Sequence, residues 1–180
     1  MRFFMKLFHY VKKGNDVLEK GLLSFAANPN ADLHYYEKRS GGKTTHTEIV
    51  QWLESCFEGR SRAIRGFSEP LQWTDKSVKL IKAFVDTADK FSIDISALDR
   101  DGLLEAVYVS PAMKIDDINN IPHDVDEVLI KLNSIDEIDY TPVDWSVCND
   151  DLGLRFSVIP YYLIIIKGGM IPPRYITKEN

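Results

Sequence analysis

The sequence predicts an α+β fold in which a bent, mainly antiparallel sheet is flanked by helices. Three observations carry this reading. Short apolar stretches bounded by Gly, Pro and Asn recur along the chain, amphipathic segments of helical period fall between some of them, and the two kinds do not alternate as a doubly wound parallel sheet requires. At 180 residues, 44% apolar and 27% charged, the chain has the balance of a globular domain. A chain of this length buries roughly two thirds of its unfolded surface, so a single domain over residues 1–180 needs neither disulfide nor metal to stand.

The elements follow in order. Phe3 to Val11 is short, aromatic and bounded by Lys12-Lys13-Gly14-Asn15, which predicts a buried first strand. Asn15 or Asp16 caps a short helix through Val17, Leu18 and Leu22, broken near its end by Gly21. A second strand, Leu22 to Ala27, stops at Asn28-Pro29-Asn30. After Ser40-Gly41-Gly42, one of Thr44, Thr45 and Thr47 caps the clearest amphipathic helix, with Ile49, Val50, Trp52, Leu53, Cys56 and Phe57 at spacings of three and four, ended by Gly59. Ala63 to Ser68 reads as a strand running into Glu69-Pro70, and Trp73 to Phe84 returns to helical spacing. Phe91 to Ile95 alternates with period two, and Leu103 to Val109 is a buried strand stopped by Ser110-Pro111. Lys114 to Glu137 is acidic and helical, in two pieces divided by Pro122. Leu154 to Lys167 is a strand whose Ile159-Pro160 break predicts a bulge or an edge position. Gly168-Gly169 turns it, and Ile171-Pro172-Pro173 leads into a polar tail.

Charge is uneven. Residues 1–65 carry eleven Lys/Arg against seven Asp/Glu, whereas residues 66–151 carry seven against nineteen. The acidic middle, with Asp116, Asp117, Asp124, Asp126, Glu127, Asp136, Glu137 and Asp139, repels a phosphate backbone and suits a basic protein partner instead. The basic first third suits a small anion, a dinucleotide or phosphorylated ligand. The longest apolar run, Ile159 to Ile166, is broken by Pro160 and falls well short of the roughly 20 residues of a spanning helix, so no membrane association is expected. Lys6 and His9 interrupt the apolar start, against a secretory signal. Cys56 and Cys148 read as two buried thiols of a reducing, cytoplasmic compartment.

Gly41-Gly42-Lys43-Thr44 has the end of a phosphate loop, but Glu37 stands where its first glycine belongs and no apolar strand leads in. His9, His34, His46 and His123 are scattered, so no metal site is assigned. Gly-x-Ser-x-Gly is absent, and with it any hydrolase elbow.

Three stretches together are more specific. Leu7-Phe8-His9-Tyr10-Val11, followed after a short helix by Gly21-Leu22-Leu23-Ser24-Phe25, resembles the start of the ADP-ribosyltransferase-like superfamily. Phe67-Ser68 and Glu105-Ala106-Val107-Tyr108 follow in the superfamily's order. The same region, about residues 7 to 110, is similar to an uncharacterised bacterial family linked to phage-defence loci, through Phe67-Ser68-Glu69, Trp73, Phe91-Ser92-Ile93-Asp94-Ile95 and Val107-Tyr108. The resemblance implies NAD as substrate and ADP-ribose transfer to a protein or nucleic-acid acceptor, as in a toxin or effector. His9 and Glu105 would be catalytic, and His9, Tyr10, Tyr35, Tyr36, Arg39 and Ser68 would bind the dinucleotide. The superfamily's Ser-Thr-Ser and Glu-x-Glu signatures are absent, which leaves the key carboxylate open between Glu105 and Glu69.

The residues support the same chemistry in their own terms. Cleaving a glycosidic bond to a cationic leaving group needs a carboxylate beside the developing charge, an aromatic face and donors for phosphates. Glu105 supplies the first, either at a wet strand end or buried with a raised pKa. Tyr35 and Tyr36, in a polar connection, stack on a ring or pack on the sheet. Arg39, Lys43 and Arg65 meet pyrophosphate or stay solvated, Ser68 lines the site or closes its turn, and His9 donates to a ribose hydroxyl or sits satisfied in the core. A non-catalytic module that docks a basic partner through the acidic middle is the alternative.

Overall fold

A computed structural model describes residues 4–72, 86–111, 129–143 and 160–179. Its fold is mixed α+β with antiparallel sheets and few helices. Strand β1 (Lys6–Lys12) pairs with β4 (Ala88–Asp94), and β4 pairs with β9 (Ile176–Glu179). In the largest sheet β7 (Tyr161–Ile166) lies between β3 (Ala63–Gly66) and β5 (Leu104–Ser110), and β6 (Ile130–Lys131) extends β5. A two-stranded ribbon joins β2 (Leu22–Leu23) to β8 (Met170–Ile171). Every named ladder is antiparallel.

One bridge links the two larger sheets. The Phe8 N–H donates to the Phe67 carbonyl at 2.7 Å, and the Phe67 N–H returns to Phe8 at 2.8 Å. The strand sequence then runs β9-β4-β1-β3-β7-β5-β6. Gly66 makes the seam possible, since a Cβ there would stand 2.8 Å from the Leu7 Cβ. Leu7, Ile93, Ile95, Leu98, Ile164, Ile166 and Ile171 are sealed in one core built from both sheets and the ribbon. Gly21, at φ +86°, serves the ribbon: a Cβ would lie 2.2 Å from the Ile171 carbonyl oxygen.

The helices are α1 (Val17–Lys20), α2 (His34–Glu37), α3 (His46–Cys56) and α4 (Ile95–Arg100). Thr45 caps α3 in a capping box with Glu48, and Ile49 and Leu53 give that helix its buried stripe. Its Glu54 carboxylate accepts from the Gly59 N–H at 3.0 Å, the Ser61 N–H at 2.8 Å and the Ser61 hydroxyl at 2.7 Å. That carboxylate therefore steers the chain out of the helix into β3.

Several expectations are corrected. The second strand is two residues long, because Ser24 to Ala27 turn, with the Ser24 hydroxyl accepting from the Ala27 N–H. The polar connection after β2 holds Tyr35 and Tyr36 in one short helical turn, α2. Asp94 ends β4 and caps α4, its carboxylate accepting from the Ala97 N–H at 3.0 Å, so the alternating stretch stops one residue earlier than expected. The described end of the acidic stretch is not helical: Ile130 and Lys131 pair with β5, and a tight 3₁₀ turn follows, in which Ser134 and Glu137 satisfy backbone N–H groups. Strand β7 is central, all six residues buried, and the bulge lies in β5 between Leu104 and Ala106. The tail is structural, since Ile171 and Ile176 are buried on β8 and β9. Cys56 is exposed, so it is not a core thiol. The helix expected from Trp73, the segment 112–128, Cys148 and the strand start at Leu154 lie outside the described residues.

A Gly66→Ala substitution places a methyl group against the Leu7 Cβ at the seam. It is expected to cost about 1–3 kcal/mol by overpacking, read from the denaturation midpoint, and the loss should shrink in a Leu7→Gly background, where the opposing Cβ is gone.

Candidate functional site

Successive residues on β1 face opposite sides of the sheet, and this separates the first two candidates. His9 lies on the side of Leu7 and Val11, opposite Phe91 on β4. Its Nδ1 meets the Arg65 carbonyl at 2.6 Å, which adds a side-chain link to the seam. The ring is enclosed although the residue keeps an edge to solvent, and that burial, helped by the Arg65 charge and opposed by the carbonyl bond, pushes its pKa below the ordinary value of 6.5. Tyr10 faces the other way. Its hydroxyl accepts the Leu71 N–H at 2.8 Å and its ring meets Phe67 edge to face at 6.3 Å.

Glu105 stands at the β5 bulge, exposed, in an ion pair with Arg62. Strands β3 and β7 stand between β1 and β5, which at the usual strand spacing separates His9 from Glu105 by about 14 Å along the sheet. The structure thus does not bring these two together. Glu69 accepts the Val143 N–H at 3.0 Å, and Ser68 is buried after the seam.

Tyr35, Tyr36 and Arg39 belong to a third place. Tyr36 meets Phe25 edge to face at 5.1 Å, Phe25 stacks on His46 at 4.8 Å, and Trp52 closes the group 6.1 Å from Tyr36. His46 Nε2 meets the Phe25 carbonyl at 2.7 Å. These rings bind α2 and α3 to the turn after β2, as a satellite cluster. Tyr35 remains exposed, and Arg39 lies over its ring while bonding its hydroxyl. Arg65 lies over Tyr161 at 4.3 Å, and Lys43 is exposed on the Gly41-Gly42 loop.

A pocket of about 390 Å³ opens at one end of the β1-β4-β9 sheet, where the end of β1, the start of β4 and the end of β9 meet. Tyr10, Leu71 and Ala88 form its less polar wall, and Lys13, Lys90 and Lys178 are its basic lining residues, Lys178 reached around the sheet end because its register position opposite Phe91 is on the other face from Tyr10 and Lys90. Two carboxylates share it. Asp89 accepts from the Asn15 amide at 3.0 Å and faces Lys178 at 3.7 Å. Glu179 pairs with Lys6 at 3.3 Å; its hydrogen bond with the Ser92 hydroxyl, then the charges of Lys6 and Lys90, outweigh burial and hold it below the usual carboxylate range. Lys13 and Lys90 close no ion pair among the described residues. Asn15 also donates to the Lys12 carbonyl at 2.9 Å and accepts from the Val17 N–H at 3.2 Å, pinning the turn that carries Lys13. Of the residues expected to bind a dinucleotide, Tyr10 alone lines this pocket. Lys13, Lys90, Lys178, Asp89 and Glu179 carry no ligand-binding signature in the sequence; the Lys12-Lys13-Gly14 turn is a visible cue, but nothing in sequence places Lys178 beside it.

Among the described residues no group of three His, Cys, Asp or Glu side chains is placed to hold a metal ion, and no helix is long and apolar enough to cross a membrane. Two described residues of the acidic middle serve turns: Glu137 accepts from the Asn133 amide and Asp139 from the Thr141 N–H.

The lowered His9 pKa sets the sign of a pH effect. Below its ordinary value the unfolded chain takes up a proton that the folded chain resists, so stability is full above pH 6.5 and falls as the pH drops toward the folded value. The melting midpoint should therefore be lower at about pH 5 than at about pH 7.5, and a His9→Asn variant should lose much of that difference while the rest of the titration persists. Scans against protein-family models, curated proteins and solved structures found no match to this chain.

Proposed function

We propose that the protein binds a small phosphorylated ligand of the nucleotide class in the pocket at the end of the β1-β4-β9 sheet. The observation that carries this is a pocket lined by Lys13, Lys90 and Lys178 beside the Tyr10 ring, in which Lys13 and Lys90 close no ion pair among the described residues although Lys90 faces Glu179 across the ladder. Phosphate oxygens accept charge-assisted hydrogen bonds from ammonium groups, and the volume falls at the small end of the ligand-pocket range, about 300–1,000 Å³. The narrower reading takes the ligand as NAD and the activity as ADP-ribose transfer to a macromolecular acceptor. The resemblance over about residues 7 to 110 supports it. That reaction asks Glu105 both to leave Arg62 and to reach a ligand whose pocket lies several strands away, so transfer needs a rearrangement that binding alone does not.

Titration calorimetry with NAD and ADP-ribose tests binding. Both should bind, more weakly as salt rises, and a Lys13→Ala, Lys90→Ala double variant should lose at least about tenfold in affinity, the value of one to two charge-assisted bonds. Affinity unchanged in the double variant, or no binding at all, overturns the site. Labelled NAD incubated with lysate then tests transfer: wild type should label protein or nucleic acid and Glu105→Gln should not, whereas the absence of label and of released nicotinamide removes the enzymatic reading.

A further inference from the structure

We infer that the sheet-end pocket takes the sugar-phosphate part of its ligand, a phosphate carried on a polyhydroxylated ring, and not a bare phosphate or pyrophosphate. The inference rests on the preceding proposal that the pocket binds phosphorylated ligands, and it concerns what the rest of the ligand must be. A site built for an inorganic anion alone would be lined by donors. This one mixes donors with acceptors: Lys13, Lys90 and Lys178 share the lining with Asp89 and Glu179.

The carboxylates are not saturated with partners. Lys6, Ser92 and the Lys90 charge favour the ionised Glu179, and Asn15 and Lys178 meet Asp89. An ionised carboxylate offers about four lone-pair sites, so each retains capacity after these partners. A second anion brought against that capacity is repelled, while a hydroxyl donor is accepted without adding charge. Vicinal hydroxyls on a ring provide such donors, with Lys13 as the cation for the phosphate and Lys90 shared between the phosphate and Glu179. The Tyr10 ring and the Leu71 and Ala88 side chains offer the C–H face of a sugar an apolar surface to lie on. Donors, acceptors and an apolar wall in one small pocket therefore match a pentose phosphate in kind.

Calorimetry on the full chain with ribose 5-phosphate, 2-deoxyribose 5-phosphate and pyrophosphate tests this. Ribose 5-phosphate should bind at least about tenfold more tightly than pyrophosphate, despite carrying less charge, and several-fold more tightly than the 2-deoxy sugar, the scale of one lost hydrogen bond. Glu179→Gln or Asp89→Asn should reduce the preference for ribose 5-phosphate while leaving pyrophosphate binding equal or stronger. The wild-type comparison of the two sugars stands even if a variant fails to fold. Pyrophosphate binding as tightly as ribose 5-phosphate overturns the sugar-phosphate inference and leaves the phosphorylated-ligand site intact. Failure of all three probes, together with NAD and ADP-ribose, overturns both.

Discussion

Two hydrogen bonds between Phe8 and Phe67 are the hinge on which the arrangement of the two larger sheets turns. Each contributes only about 0.5–1.5 kcal/mol net, so the bridge is held by what surrounds it. Leu7, fully buried and packed against the bare backbone of Gly66, adds hydrophobic burial of about 1.5–3 kcal/mol. His9 adds its contact with the Arg65 carbonyl one step along. Because the seam is one residue pair long, a side chain at position 66 would press directly on Leu7 and weaken it.

The seam also decides what β1 can present. With Leu7 committed to the core, period-two alternation commits His9 to the same side and sends Phe8 and Tyr10 to the other. On that second face Lys6 and Lys90 lie over the Phe8 ring at 5.1 and 6.0 Å, and Lys90 stands directly opposite both Tyr10 and Glu179. Antiparallel pairing then brings the end of β1, the start of β4 and the end of β9 to one rim. The pocket is a consequence of register, with Asn15 holding the first turn against β4.

Glu105 belongs to different geometry. The β5 bulge inserts it as an extra residue facing Arg62, next to the turn that Glu54 organises after α3. Bulges re-aim side chains, and here the result is an exposed charge pair. The tyrosines of α2 belong to a third region, packed with Phe25, His46 and Trp52. Residues that follow one another in a suggestive order along the chain are thus distributed over three separate neighbourhoods.

What the sequence determined by itself is local. The capped helix from Thr45 to Cys56 follows from a Thr and a Glu three residues apart ahead of an apolar stripe, and the strands around Leu7, Ile64, Phe91 and Val107 follow from short apolar runs between breakers. The mixed α+β class follows from their irregular order. Tertiary structure decided the rest. The chain after Ile171 looks like a polar tail until β4 offers it an open edge; Pro160 suggests an edge strand until β3 and β5 enclose β7. The sheet-end pocket is legible only as a basic turn at Lys12-Lys13, because its other basic lining residues come from positions 90 and 178. Backbone pairing across such separations is set by which edges remain free once the core has closed, and no local pattern of residues encodes that.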